Sequence, residues 1–206
     1  MKNIVIATIK EWNINNYFEL KKELENEYSL YLLTNKDELS FKNIETINPK
    51  YIFFPHWSWI IPENIYKNYE CILFHMTDLP YGRGGSPLQN LIINKVYNTK
   101  ISALKVTKGL DEGDIYLKED FDISKGSANE IYINASKLIF KKLIPNILRQ
   151  NPTPVRQEGD VVNFKRRTPE QSNIKMLNDV SIANLYDFIR MLDAPSYPKA
   201  YLELDN

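Results

Sequence analysis

Residues 71–89, CILFHMTDLPYGRGGSPLQ, decide how the chain is read. Cys71 to Phe74 form a short, continuously apolar run, the mark of a strand buried on both faces. The run delivers His75 to the point where the backbone enters a loop. Thr77, Asp78, Pro80, Gly82, Arg83, Gly84 and Gly85 occupy that loop before Pro87 lets a helix begin. Strand, histidine, glycine-rich loop and helix in succession hold a reactive side chain at the carboxyl edge of a parallel sheet. By itself the segment is equally a packed histidine followed by a flexible, charged turn, so the surrounding chain has to decide.

Upstream, residues 3–9, 28–33 and 51–54 read as three further strands, the last one apolar throughout. Ile14, Tyr17, Phe18 and Leu24 recur with helical spacing between the first two. Residues 36–48 are polar and irregular, with a weak helical pattern at best, and a short helix starts after Pro62. Downstream come a helix over 88–96, strands over 99–106 and 114–123, and between them an acidic turn that makes a hairpin. A long helix follows over 128–149, with Pro145 as a candidate kink, and Asn151-Pro152-Thr153-Pro154 is a linker. Residues 161–164 form an edge strand, Thr168-Pro169-Glu170-Gln171 matches a capping box, and Ile182 to Leu192 carry a last amphipathic helix. Strands alternating with helices predict an α/β fold with a mostly parallel sheet over 1–150, and a carboxyl-terminal extension of edge strand and helix over 151–206.

At 206 residues the chain buries one sizeable core. Lys plus Arg equal Asp plus Glu at 26 each, which gives no electrostatic reason to expect a polyanion. Cys71 is the single cysteine, so a disulfide within the chain or a cysteine metal cluster is excluded. The amino terminus lacks the apolar run of a secretion signal, and no stretch reaches the roughly 20 apolar residues of a membrane span. The cytoplasm is the expected compartment, without a membrane partner. No glycine fingerprint follows the first strand and no Walker loop occurs, so the sheet does not read as an NAD or ATP site.

The two histidines, His56 and His75, stand where the third and fourth strands end, on one expected sheet edge. Asp111, at the hairpin tip, is either a solvated acidic turn or a carboxylate beside His75 that orients the ring and manages a proton.

Taken together, His75, Leu79-Pro80, the loop Gly82-Arg83-Gly84 to Pro87, and Leu110-Asp111-Glu112-Gly113-Asp114 resemble the formyltransferases that use 10-formyltetrahydrofolate. Ile60-Ile61-Pro62, residues 164–170, and the segments 186–190 and 197–201 extend the resemblance from about residue 50 to the end. It implies the Rossmann-like formyltransferase fold, with His75 and Asp111 as two members of an asparagine-histidine-aspartate catalytic set and no metal. It also implies a folate pocket lined by Trp57, Trp59 and Ile61 with Leu110 and Gly113, and an acceptor site drawing on Thr77, Arg83, Gly84 and Arg166. The chain departs from the pattern at Leu73, where the family has asparagine, so the amide donor to an oxyanion needs a replacement. His56 is the first candidate, ahead of Thr77 and a backbone N–H of the loop.

The initiator-tRNA members carry a further carboxyl-terminal domain and a basic surface. A neutral chain ending at Asn206 is therefore expected to bind no nucleic acid and to formylate a small amine, a nucleotide-linked amino sugar for surface glycans, with a homodimer left open. A folate hydrolase and a non-catalytic ligand-binding descendant are the alternatives.

Overall fold

The computed structural model describes residues 1–195 and 197–204. Asn206, the expected end of the last segment, lies outside them. In chain order the elements are β1 (Lys2–Ala7), α1 (Glu11–Leu24), β2 (Tyr28–Leu33), α2 (Phe41–Ile47), β3 (Tyr51–Phe54), α3 (Glu63–Tyr66), β4 (Cys71–His75) and β5 (Tyr81–Gly84). They continue with α4 (Pro87–Ile93), β6 (Asn98–Lys105), β7 (Ile115–Asp122), α5 (Ala128–Leu138), α6 (Ile144–Gln150), β8 (Val162–Phe164) and α7 (Ile182–Arg190).

Six strands form the main sheet in the order β2-β1-β3-β4-β6-β7. The first four are mutually parallel, and β6 and β7 return antiparallel as the expected hairpin. Alternation along each strand sorts its side chains into two layers. Ile4, Ile6, Tyr51, Phe53 and Ile72 pack with α1, α4 and α5 on one face. Val5, Ala7, Ile52, Phe54 and Cys71 pack with Ile44 of α2 and Ile65 of α3 on the other. The direction in which successive strands are added to the sheet reverses between β1 and β3: β2 lies on one side of β1, and β3 and β4 on the other. In an open α/β sheet the crevice outside such a point is where ligands bind.

Three expectations change. Residues 36–48 do contain a helix, α2, whose Ser40 side chain accepts the Asn43 N–H; only Ile44 is buried in it, which is too little apolar pattern to read from sequence. The single long helix expected over 128–149 is divided just ahead of Pro145, the candidate kink, into α5 and α6. A π-helical turn, Ile139–Leu143, lies just before it and widens the ladder where proline has no N–H to offer and its ring needs space. The glycine loop is in part a strand, because β5 finds a parallel partner in β8, about 80 residues on.

That pairing brings the extension onto the loop of residues 76–86. Further bonds reinforce it: Gly85 N–H to the Phe164 carbonyl at 3.2 Å, Arg167 N–H to Ser86 Oγ at 3.1 Å, and Asn90 Nδ2 to the Lys165 carbonyl at 3.0 Å. The Thr168 N–H is met by Gln171 Oε1 at 2.9 Å, the capping box expected there. Farther along, α7 is fastened by buried charge. Asp187 accepts Lys95 Nζ at 2.9 Å, Tyr97 OH at 2.6 Å and Arg190 Nε at 2.7 Å. The Arg190 Nη1 reaches the carbonyls of Ile123 at 2.9 Å and Gly126 at 3.2 Å.

Burial alone would raise the Asp187 carboxyl, but the hydrogen bonds from Tyr97, Lys95 and Arg190 outweigh it and hold the group below its ordinary value. A depressed carboxyl contributes stability that is complete above the unfolded-state pKa and is lost as the pH falls through the folded-state value. Asp187→Ala leaves Arg190, 4% exposed, without its partner. The expected cost is about 3–5 kcal/mol in urea unfolding at neutral pH, shrinking toward acid pH. A loss below about 1 kcal/mol at neutral pH would show that α7 is held by apolar packing alone.

Candidate active site

Phe54 of β3 stands beside Leu73 of β4, so His56 and His75, each two residues farther on, leave the sheet at one level. They diverge from there. Strand alternation sets His75 on the face of Cys71 and Leu73, whereas His56, at a left-handed φ of 57°, packs against Trp12 and Tyr132 of the other layer.

His75 is buried, and its Nε2 lies 2.8 Å from the Gly82 carbonyl. A carbonyl only accepts, so Nε2 carries a proton. The other ring nitrogen, Nδ1, faces Asp111 Oδ2 at 3.6 Å, with both side chains 8% exposed. The same Oδ2 accepts the Gly84 N–H at 2.9 Å. With Nε2 committed to the Gly82 carbonyl, Nδ1 is the ring nitrogen left facing the carboxylate. Two backbone features make the approach possible. Gly84, at φ 107°, has no room for a Cβ beside the Phe164 carbonyl, and Gly113 has none beside the Lys105 carbonyl. Asp111 itself takes a left-handed φ of 54°.

Leu73, on the histidine's own face, packs with Leu79, Leu104 and Ile115, so an apolar wall stands at the position where the resemblance leads one to expect an amide. Of the candidate replacement donors, Thr77 is fully buried, with Oγ1 3.5 Å from the Gly82 carbonyl. The loop amides of Gly84 and Gly85 are engaged by Asp111 and Phe164. The Arg83 guanidinium meets Gln157 Oε1 at 2.8 and 3.1 Å and Glu112 at 3.8 Å. Arg166 is exposed, with its backbone against Gly85.

His56 Nε2 lies 3.2 Å from Tyr197 OH. Tyr132 stacks on both Trp12 and Tyr197, and Lys10 Nζ sits over the Trp12 and Tyr197 rings at 5.7 and 5.3 Å. This aromatic box stands at the crevice between the carboxyl ends of β1 and β3. The sequence reading missed Trp12, Tyr132 and Tyr197, since aromatic residues in a chain with 25 of them read as core. Trp57 and Trp59 meet edge to face at 4.9 Å, and Trp57 Nε1 is buried without a partner. Trp57 lines a cavity of about 280 Å³ with Lys36, Asp37, Leu39, Ser40, Ile60 and Pro62. Ile61 packs in the layer below, Leu110 is 71% exposed, and Gly113 is buried. Among the described residues no group of acidic, histidine or cysteine side chains could hold a metal ion, and no helix is long and apolar enough to cross a membrane.

Comparison with known proteins gives this geometry relatives. The family model described as the methionyl-tRNA formyltransferase carboxyl-terminal domain matches residues 169–206. A solved structure described as a methionyl-tRNA formyltransferase from Clostridium thermocellum is similar over 99% of this chain and 88% of its own, at 53% identity and a TM-score of 0.95. The methionyl-tRNA formyltransferase of Rickettsia massiliae is 32% identical over 136 residues, 64% of this chain and 45% of that protein. The chain thus spans about half the length of the curated relatives it matches. A sugar N-formyltransferase from Shewanella, at 16% identity and a TM-score of 0.77, shares the fold.

These relatives correct the expected partner. The sequence reading excluded nucleic acid and chose a nucleotide-linked amino sugar, whereas the proteins similar at 53% and 32% identity are named for a tRNA. The charge argument failed because a net charge of zero sums over the whole chain, while phosphate contacts need only a local basic face. Lys165 and Arg166 are exposed beside the loop of His75.

Burial, reinforced by Lys10, lowers His56 to a pKa of about 4 from an ordinary 6.5. A group lowered on folding contributes stability that is full above its unfolded value and lost as the pH falls toward its folded one. Between pH 6.5 and about 4 the native protein is expected to lose roughly 3 kcal/mol through this residue. His56→Gln is expected to show a correspondingly flatter decline in urea unfolding across that window. Equal slopes in the two proteins would mean that His56 titrates as it does in water.

Proposed function

The chain belongs to the formyltransferase family that includes the methionyl-tRNA enzymes, and on that premise we propose that it transfers a formyl group from 10-formyltetrahydrofolate to the amine of methionyl-tRNA. The observation that carries this reading is the buried His75–Asp111 pair, held from opposite sides by the Gly82 carbonyl and the Gly84 N–H. We read residues 1–150 as the catalytic unit and 151–206 as an extension that completes it, working in the cytoplasm.

The donor suits the residues present. A pterin is planar and rich in hydrogen-bond acceptors; Trp57 has a buried N–H with no partner, and the residue also lines a cavity of about 280 Å³. Trp57, Trp59 and Ile61 with the backbone of residues 110–113 would hold it. When bound it supplies the activated formyl carbon.

Attack by the acceptor amine throws negative charge onto the formyl oxygen and leaves a proton to be removed from nitrogen. His75 Nε2–H is the donor suited to that oxygen, exchanging the neutral Gly82 carbonyl for a charged and stronger acceptor. Asp111 would keep the imidazole oriented, take the amine proton directly or through water, and pass it to the folate nitrogen as the bond from that nitrogen to the formyl carbon breaks. Leu73 contributes no donor, so the oxyanion depends on His75 more heavily than a site with an amide at that position. The aminoacyl end would enter by the crevice lined with Lys10, Trp12, Tyr132 and Tyr197. The tRNA phosphates would meet Lys165 and Arg166, where the extension borders the loop.

The test incubates the protein with 10-formyltetrahydrofolate, with and without methionyl-tRNA, and follows tetrahydrofolate release and formyl-methionyl product. Release is expected to require the acceptor. His75→Ala and Asp111→Asn are each expected to lower kcat by about 10²–10⁴ with the fold intact. Formate release without acceptor would replace transfer by hydrolysis. Turnover unaffected by either substitution would remove this site from the chemistry.

A further inference from the structure

We infer that Gln157, outside the strand–loop–helix segment and the hairpin, is the positioning residue that sets the Asp111 carboxylate against His75; the inference rests on the formyl-transfer reading for its kinetic consequence and on geometry alone for its structural one. Gln157 lies between the linker and β8 and is half-buried. Its Oε1 accepts Arg83 Nε at 3.1 Å and Nη2 at 2.8 Å. Its Nε2 donates to the Asp111 carbonyl at 2.8 Å and to the Gly113 carbonyl at 2.8 Å. The amide can sit only one way round, because a guanidinium has nothing but donors and carbonyls nothing but acceptors. All four available bonds are made.

The two carbonyls flank Glu112 in the turn where Asp111 adopts a left-handed φ of 54°, a conformation unfavourable for an L-residue that persists only where neighbours impose it. Gln157 is the side chain that spans this turn. Through Arg83 it also fixes the turn relative to β5, whose Gly84 N–H binds the Asp111 carboxylate at 2.9 Å. The amide thus joins three segments distant in sequence, the glycine loop, the hairpin tip and the extension, at the backbone of the proton-handling residue. Gln157 touches no reacting atom, and its part in the reaction runs through Asp111.

The experiment compares the full chain with Gln157→Leu, which removes both functions of the amide, and Gln157→Glu, which keeps an acceptor for Arg83 but has no N–H for the two carbonyls. The first readout needs no activity: amide hydrogen exchange at Gly84. Exchange is expected to rise tenfold or more in both variants while amides of β1 and β3 keep their rates. The second is kinetic. A displacement of about 1 Å in a proton-handling group costs on the order of 10²-fold, so kcat is expected to fall by about 10–100-fold with KM for the folate donor within about twofold. Unchanged Gly84 exchange in Gln157→Leu overturns the inference, as does a Gln157→Glu protein with wild-type kcat, or a loss confined to KM. A wild-type protein without acceptor-dependent release defeats the formyl-transfer reading instead and leaves the exchange measurement to judge Gln157.

Discussion

The hydrogen bond from the Gly84 N–H to the Asp111 carboxylate, 2.9 Å long and spanning 27 residues of sequence, is the contact on which the rest of the site depends. It joins the glycine loop to the hairpin tip and leaves the same oxygen facing His75 Nδ1. Each neighbouring feature serves that approach. Glycine is required at position 84 because the Phe164 carbonyl occupies the space of a Cβ, and at 113 because the Lys105 carbonyl does. The Gly82 carbonyl settles the histidine tautomer, leaving Nδ1 toward the carboxylate.

A second constraint comes from topology. Because the chain crosses from β2 to β3 past β1, the carboxyl ends of β1 and β3 part, and the loops that follow them frame an opening. The aromatic box of Trp12, His56, Tyr132 and Tyr197 borders it on one face of the sheet, and the His75–Asp111 pair lies on the other. An edge with the histidine–carboxylate pair on one face and aromatic walls on the other suits the proposed reaction, which brings two substrates together. The fold shared with a sugar N-formyltransferase at 16% identity shows how little the architecture alone says about the acceptor.

The extension is structural to the site. Strand β8 supplies the partner that turns residues 81–84 into a strand, and α7 is anchored by the buried Asp187–Arg190 cluster. Tyr197, beyond α7, closes the aromatic box, so residues far along the chain reach the crevice at β1 and β3. The loop around His75 is consequently shaped by segments that lie 80 or more residues away in sequence.

Local pattern was enough for the α/β class, the four parallel strands, the hairpin and the capping box at Thr168, because each rests on periodicity or on residues with narrow chemical use, whereas it left Asp111 open between a solvated turn and a partner for His75. Helix α2 escaped notice since only Ile44 is buried in it, and β5 because a strand of glycine, arginine and tyrosine has no pattern without its partner. The divergence of His56 from His75 was equally hidden, for it turns on one left-handed residue after β3. The sequence by itself determined at which strand ends the two histidines emerge and that Asp111 stands in the turn of a hairpin, through hydrophobic alternation and turn chemistry. Only the tertiary structure decided which of them meet, because Gln157, Phe164 and Tyr197 act through contacts whose sequence separation leaves no local trace.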